Sequence, residues 1–254
     1  IAGPYVLGIS SGASLGATLS IMLGVGVAFG PNYVGVMACL GAFAISIGVV
    51  TLSNIGGRAT SVKLLLAGMA LSSLCSAFSN FIVYFSNDQD GMKTVSYWMM
   101  GSLGGASWEN NAIVVPISIL GVLFFWTQYR TLNLMLLGDE SAITLGTDLH
   151  PWRQLYLLVS SLMVGFAVYC AGVIGFVGLV IPHVVRMLFG TDHKKLIPLC
   201  ALVGAIFLIW ADVFCRVIIT GMELPIGILT SMIGAPVFIW LMVRKKYGFG
   251  GKES

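Results

Sequence analysis

Apolar stretches long enough to cross a lipid bilayer recur along this sequence, and few architectures tolerate them. A transmembrane helix needs about 20 predominantly apolar residues to span the hydrocarbon core. Candidate spans lie near 5–24, 33–53, 62–86, 110–128, 154–174, 178–190, 196–220 and 226–244. The sixth is short and contains Pro182, His183 and Arg186, so it crosses only if tilted, broken or shielded by protein. Charged residues are 9% of the chain, against about 25% in ordinary soluble domains. So few charges cannot cover a water-facing surface. The expected fold class is all-α: a polytopic transmembrane helical bundle forming one domain over 1–254, with eight spans. The chain opens on Ile1 without a signal-peptide pattern, so an upstream segment is expected.

The loops orient the bundle. One side holds Arg58, Lys63, Arg130, Arg153, Arg186, Lys194, Lys195, Arg244, Lys245, Lys246 and Lys252, eleven of the thirteen basic residues. The other holds Lys93 and Arg216 beside Asp88, Asp90, Glu109 and Glu223. The positive-inside rule places the first set in the cytoplasm, and the C-terminus with it. A miscounted span would mix the two sets. Two loops exceed a turn. The outer one, 87–109, carries Tyr97, Trp98 and Trp108, residues suited to the membrane interface. The inner one, 129–153, is too apolar for a flexible linker. Leu134, Leu137, Ile143 and Leu145 fit short amphipathic helices broken at Gly138 and Gly146.

Several classes of chemistry are missing. The five cysteines show no C-x-x-C pair, and read as small buried apolar residues rather than a zinc site or disulfide frame. The twelve methionines read as ordinary filler of apolar helices. A net charge of +3 without a basic run interleaved with aromatics points away from nucleic acid. No G-x-x-x-x-G-K-[ST] loop is present, so this chain should not bind ATP through a Walker-type loop. No hydrolase or metalloprotease signature appears. His183 is a lone histidine near a span end and reads as structural. No metal site, cofactor or enzymatic activity is expected of this chain.

Two spans carry patterned small residues. Gly8, Gly12 and Gly16 repeat at four-residue spacing, which lets a second helix approach closely. Gly68, Ser72, Ser76 and Ser79 recur at helical spacing in the third span, with Asn80 beside them. The hydroxyls either bond to a neighbouring helix and to their own carbonyls, or line a wetted passage. Spacing alone leaves both open. Away from their ends the spans hold almost no ionisable residue, whereas proton-coupled carriers keep an intramembrane acid or histidine for work. Asp212 and Arg216 are the candidates, four apart, with an internal ion pair as the simplest reading.

Six blocks then resemble one family. "GPYVLGISSGASLGA" at 3–17, "LLLAGMALSSLCSAF" at 64–78, "YWMMGSLGG" at 97–105, "LLGDESAITLG" at 136–146, "GFVGLVIPHVVRM" at 175–187 and "ELPIGILTSMIGAPVFIWL" at 223–241 resemble the permease subunits of iron-chelate (siderophore or haem) and cobalamin ABC importers. The likeness runs from end to end in the family's order. It implies a type II importer fold of ten spans with inverted repeats, of which this chain would lack the first two. It implies a cytoplasmic coupling loop at 129–153, with Gly138, Glu140, Ala142, Leu145 and Gly146 docking on an ATPase subunit that holds ATP and magnesium. It makes Arg216 a docking residue for an extracytoplasmic substrate-binding protein, and Thr60, Ser61 and Val62 a cytoplasmic gate. Gly68, Ser72, Ser76, Ser79, Gly227 and Ser231 would line the translocation path, facing a second permease copy, identical or a paralogue. The implied function is import of an iron–siderophore complex across the inner membrane, with haem or cobalamin as alternative cargo.

Overall fold

The computed structural model describes residues 8–55, 60–219 and 223–244, with Ser61, Asp139, Glu140, Met242 and Arg244 described by backbone alone. Arg58, Lys245, Lys246 and Lys252, counted above with the basic set, lie outside the described residues. Every regular element among the described residues is helical: α1 (Ile9–Leu23), α2 (Tyr33–Asn54), α3 (Ser61–Ser86), α4 (Gln89–Met100), α5 (Trp108–Thr127), α6 (Tyr129–Leu136), α7 (Asp139–Thr144), α8 (His150–Ala171), α9 (Val177–Phe189), α10 (His193–Val217) and α11 (Ile226–Arg244), with a short 3-10 turn at Val27–Phe29. Helices are the expected solution, because backbone polar groups in lipid must be satisfied within the segment.

Five of these helices, α2, α3, α5, α8 and α10, are long and apolar enough to cross a membrane, while α1, α9 and α11 are apolar but shorter. The eight expected spans thus fall on apolar helices, of which, among the described residues, five have the length of a span. Two differences from the sequence reading have local causes. The long loop at 87–109 contains a helix, α4, capped by the Asp88 side chain accepting from the Asp90 amide at 3.1 Å. Helix α8 begins at His150, earlier than expected, with Pro151 in its first turn, where the missing N–H has no intrahelical role. The short α9 follows a non-helical stretch in which Gly172 (φ +66) and Phe176 (φ +64) take positive φ.

Helix α1 is the packing centre. Its Ile9, Ala13 and Ala17 join Ala38, Ala42 and Val49 of α2, Leu64 of α3, and Leu157 and Val168 of α8 in the main buried cluster. A Cβ on Gly12 would meet the Gly41 carbonyl oxygen at 2.5 Å, and one on Gly16 would overlap the Met37 carbonyl oxygen. The glycine stripe is therefore a close-packing seam against α2. A second cluster, Ile181, Val185 and Leu196, joins α9 to α10. A third, Ala211, Cys215 and Ile226, joins α10 to α11.

Polar contacts tie the helix ends and confirm the alternating path. At one end, the Asn32 amide donates to Asn110 Oδ1 (2.8 Å) and to Tyr169 Oη (3.1 Å), linking α2, α5 and α8. At the opposite end, Gln154 donates to Asn54 Oδ1 at 3.0 Å, and the Trp126 indole donates to the Lys194 carbonyl at 3.1 Å. The second end carries Lys63, Arg130, Arg153, Lys194 and Lys195; the first carries Asp88, Asp90, Lys93 and Glu109. These are called below the basic end and the acidic end.

Candidate functional site: a hydroxyl-lined cleft and the two ends of the bundle

The serine stripe of α3 opens onto a cleft of about 490 Å³ between α1, α3 and α4. Ser72, Ser76, Ser79 and Asn80 form one wall, and Ser10, Ser11, Ser14 and Thr18 of α1 form another. Ser96 and the apolar Met92, Val95 and Met99 of α4 complete it. None of the lining residues is ionisable. Ser72 Oγ bonds across to Ser11 Oγ at 3.0 Å, while Ser76 and Ser79 face the open volume. Ser79 Oγ is buried without a hydrogen-bond partner.

Three of the donors on the cleft walls are consumed by the helices that carry them. Ser14 donates to the Ser10 carbonyl (3.0 Å), Thr18 to the Ser14 carbonyl (2.8 Å) and Ser96 to the Met92 carbonyl (2.9 Å). A hydroxyl has one donor and two acceptor lone pairs, so the exposed Ser96 keeps acceptors for the space, while Thr18 is fully buried. The cleft widens at the acidic end into a larger vestibule of about 720 Å³, which shares Val83, Met92 and Ser96 with it. Tyr84, Asn87, Gln89, Lys93 and Tyr97 line this mouth.

The other residues singled out from sequence fall in three places. Gly68 packs under the first turn of α1, where a Cβ on Gly8 would come within 2.8 Å of its carbonyl oxygen. Gly227 abuts the Met100 carbonyl, and Ser231 lies near Gly175. Neither lines the cleft of Ser72, Ser76 and Ser79, so within one chain the α3 and α11 positions are not brought together. Thr60 caps α3, its Oγ1 accepting from the Lys63 amide at 3.3 Å. Val62 is exposed, and the Ser61 side chain lies outside the described residues.

The inner loop is two short helices. Gly138 sits between α6 and α7 with φ 90 and ψ 164, a region only glycine enters without strain, and Gly146 (φ +78) follows α7. Ala142 is buried and Leu145 exposed; the Glu140 side chain lies outside the described residues. Sequence reasoning missed what holds this loop. Asn133 of α6 donates to Asp192 Oδ1 (2.9 Å) and its Oδ1 accepts from the His193 amide (3.0 Å) and contacts His193 Nδ1 (2.7 Å). Asp192 also caps α10 by accepting from the Lys194 amide at 3.1 Å. The Asn133 amide and then the Lys194 N–H hold the Asp192 carboxyl below its ordinary range. The Asp in "TDHKK" before an apolar run is an N-cap signal, but nothing in sequence paired it with Asn133.

At the acidic end, Arg216 Nε meets Asp212 Oδ2 at 2.8 Å, and its Nη1 lies 3.6 Å from Glu223 Oε1. The i,i+4 ion pair read as the simplest explanation is present, with a second carboxylate added from the start of the last segment. Among the described residues, no group of three His, Cys, Asp or Glu converges as a metal site would require.

This bundle has known relatives. The FecCD transport family matches residues 1–244. The chain belongs to that family. Vitamin B12 import system permease proteins BtuC from Salmonella typhi and from Salmonella newport are each 41% identical over 245 residues, covering 96% of this chain and 73% of theirs. An inward-facing structure of a metal-chelate type ABC transporter superposes with a TM-score of 0.87 at 32% identity, covering 96% of this chain and 77% of that one. PsaBC from Streptococcus pneumoniae, solved with a Fab, shares the fold at a TM-score of 0.63 and 14% identity. The chain is thus a multi-pass permease of the FecCD type, a transport subunit with the type II importer fold.

Proposed function

We propose that this permease builds one half of the pathway of an ATP-driven importer that carries a bulky metal chelate whole, with an iron–siderophore complex as cargo. The observation that carries the reading is the uncharged, hydroxyl-lined cleft between α1, α3 and α4. A passage without fixed charge suits a shielded complex better than a bare ion, and Asp212, the candidate acid for ion coupling, is paired with Arg216 near the end of α10. Cobalamin is the second reading, favoured by the 41% identity to vitamin B12 permeases.

In this reading the basic end faces the cytoplasm, in keeping with the positive-inside rule, and the C-terminus lies there. Helices α6 and α7, with Gly138, Glu140, Ala142, Leu145 and Gly146, dock on ATPase subunits that bind ATP and magnesium. A substrate-binding protein engages the acidic end at Arg216. A second permease copy faces the α3 stripe, bringing Gly227 and Ser231 to the path from α11, and Thr60, Ser61 and Val62 close its inner mouth. The permease breaks no bond. It supplies contacts that differ between outward- and inward-open states, without which neither nucleotide nor cargo shifts the equilibrium.

Uptake into proteoliposomes holding the complete permease, its ATPase and its binding protein tests this. Ferric siderophore, haem and cobalamin are supplied in turn, with and without ATP, and with Glu140→Arg. ATP-dependent uptake of one chelate that collapses with Glu140→Arg supports the reading and names the cargo. Uptake that follows an ion gradient with ATP absent would sink it.

A further inference from the structure

We infer that the chelate carried along this cleft bears no net negative charge; this rests on the importer reading and narrows its substrate class. The first support is the wall chemistry. No cation lines the cleft, whose polar groups are hydroxyls and the Asn80 amide. An anionic complex entering would shed hydration and find no positive charge in return, which is costly. The polar groups of a neutral complex would meet the wall hydroxyls, which donate or accept, the unpartnered Ser79 Oγ among them.

The second support is independent of the walls and comes from the mouth. Lys93 is the one fixed cation among residues lining the vestibule, and its ammonium is paired with Asp90 at 3.2 Å. Arg216, the other cation at this end, is held between Asp212 and Glu223. Asp88 and Glu109 add negative charge at this end of the bundle, and neither is in an ion pair among the described residues. The mouth thus offers no unpaired cation to draw an anion in, and the acidic end around it favours cations over anions. Mouth and walls therefore select in the same direction.

The test uses the complete transporter in proteoliposomes. Its binding protein is loaded with a neutral ferric trihydroxamate, with cyanocobalamin or with a trianionic ferric tris-catecholate, and loading is measured separately. At least one of the first two should be imported tenfold or more faster than the trianion at equal loading. Comparable import of the trianion overturns the inference while leaving the importer reading standing. ATP-dependent import of none of them overturns both. Ser76→Lys and Ser76→Asp then read the pathway whatever the binding protein admits, since Ser76 is exposed on the cleft wall. Both should slow uptake of the accepted chelate, Lys at least as much as Asp. Uptake that rises with Lys and falls with Asp would mark an anionic cargo and overturn the inference.

Discussion

At Gly16 one added methyl group has nowhere to go, because an ideal Cβ falls on the Met37 carbonyl oxygen of α2. Backbone does not yield as a flexible side-chain tip does, so the cost of substitution is that of overpacking, typically about 1–3 kcal/mol. Gly16→Leu should therefore lower the unfolding temperature in detergent and separate α1 from α2. Gly178 is the contrast: it is helical, and nothing lies within 4 Å of its Cβ position. Gly178→Ala should be neutral or stabilising by up to about 1 kcal/mol, since it removes unfolded-chain entropy without a clash. If both variants melt alike, the seam between α1 and α2 is not what the glycines serve. The doubled four-residue spacing was legible in sequence, but which of the 32 glycines face backbone was not. Spacing names a helix face without naming its neighbour.

Among the elements, α6 and α10 behave as one unit. Asn133 spends its amide on Asp192 and its carbonyl on His193, and the Trp126 indole reaches the Lys194 carbonyl from α5. In the proposed importer, movement imposed on α6 by an ATPase would thereby be applied to the start of a 25-residue helix that ends at the Arg216 cluster. Asn133→Ala removes bonds of about 1 kcal/mol each at a peripheral site, so the bundle should still fold. The expected result is a lower number of chelates imported per ATP hydrolysed, with the ATPase rate itself retained. Unchanged stoichiometry would mean that α10 moves without this clamp. Helix α4 teaches a related lesson. Its Asp88 cap and apolar Val95 were present in the sequence, yet a segment of 12 residues is too short to announce itself as a span and reads as loop.

For the molecule as a whole, the distribution of charge decides where partners can engage. Arg216 is flanked by Asp212 and Glu223, so an acidic partner must compete with these carboxylates. Glu223→Ala should strengthen stimulation of ATP hydrolysis by the binding protein, and Arg216→Glu should reduce it severalfold, with both effects shrinking at high salt as surface electrostatics are screened. Equal stimulation in all three proteins would remove Arg216 from the docking surface.

The sequence by itself determined that this is a charge-poor helical membrane protein, where its apolar helices lie, and to which family it belongs. Those properties follow from run length, charge placement and local motifs, all of which are one-dimensional. Only the tertiary structure decided that the α3 serines share a cleft with α1 and α4 while Gly227 and Ser231 stand apart, and that Asn133 closes on Asp192 and His193. Those pairings join residues about 60 positions apart, and helix periodicity carries no record of which face meets which neighbour.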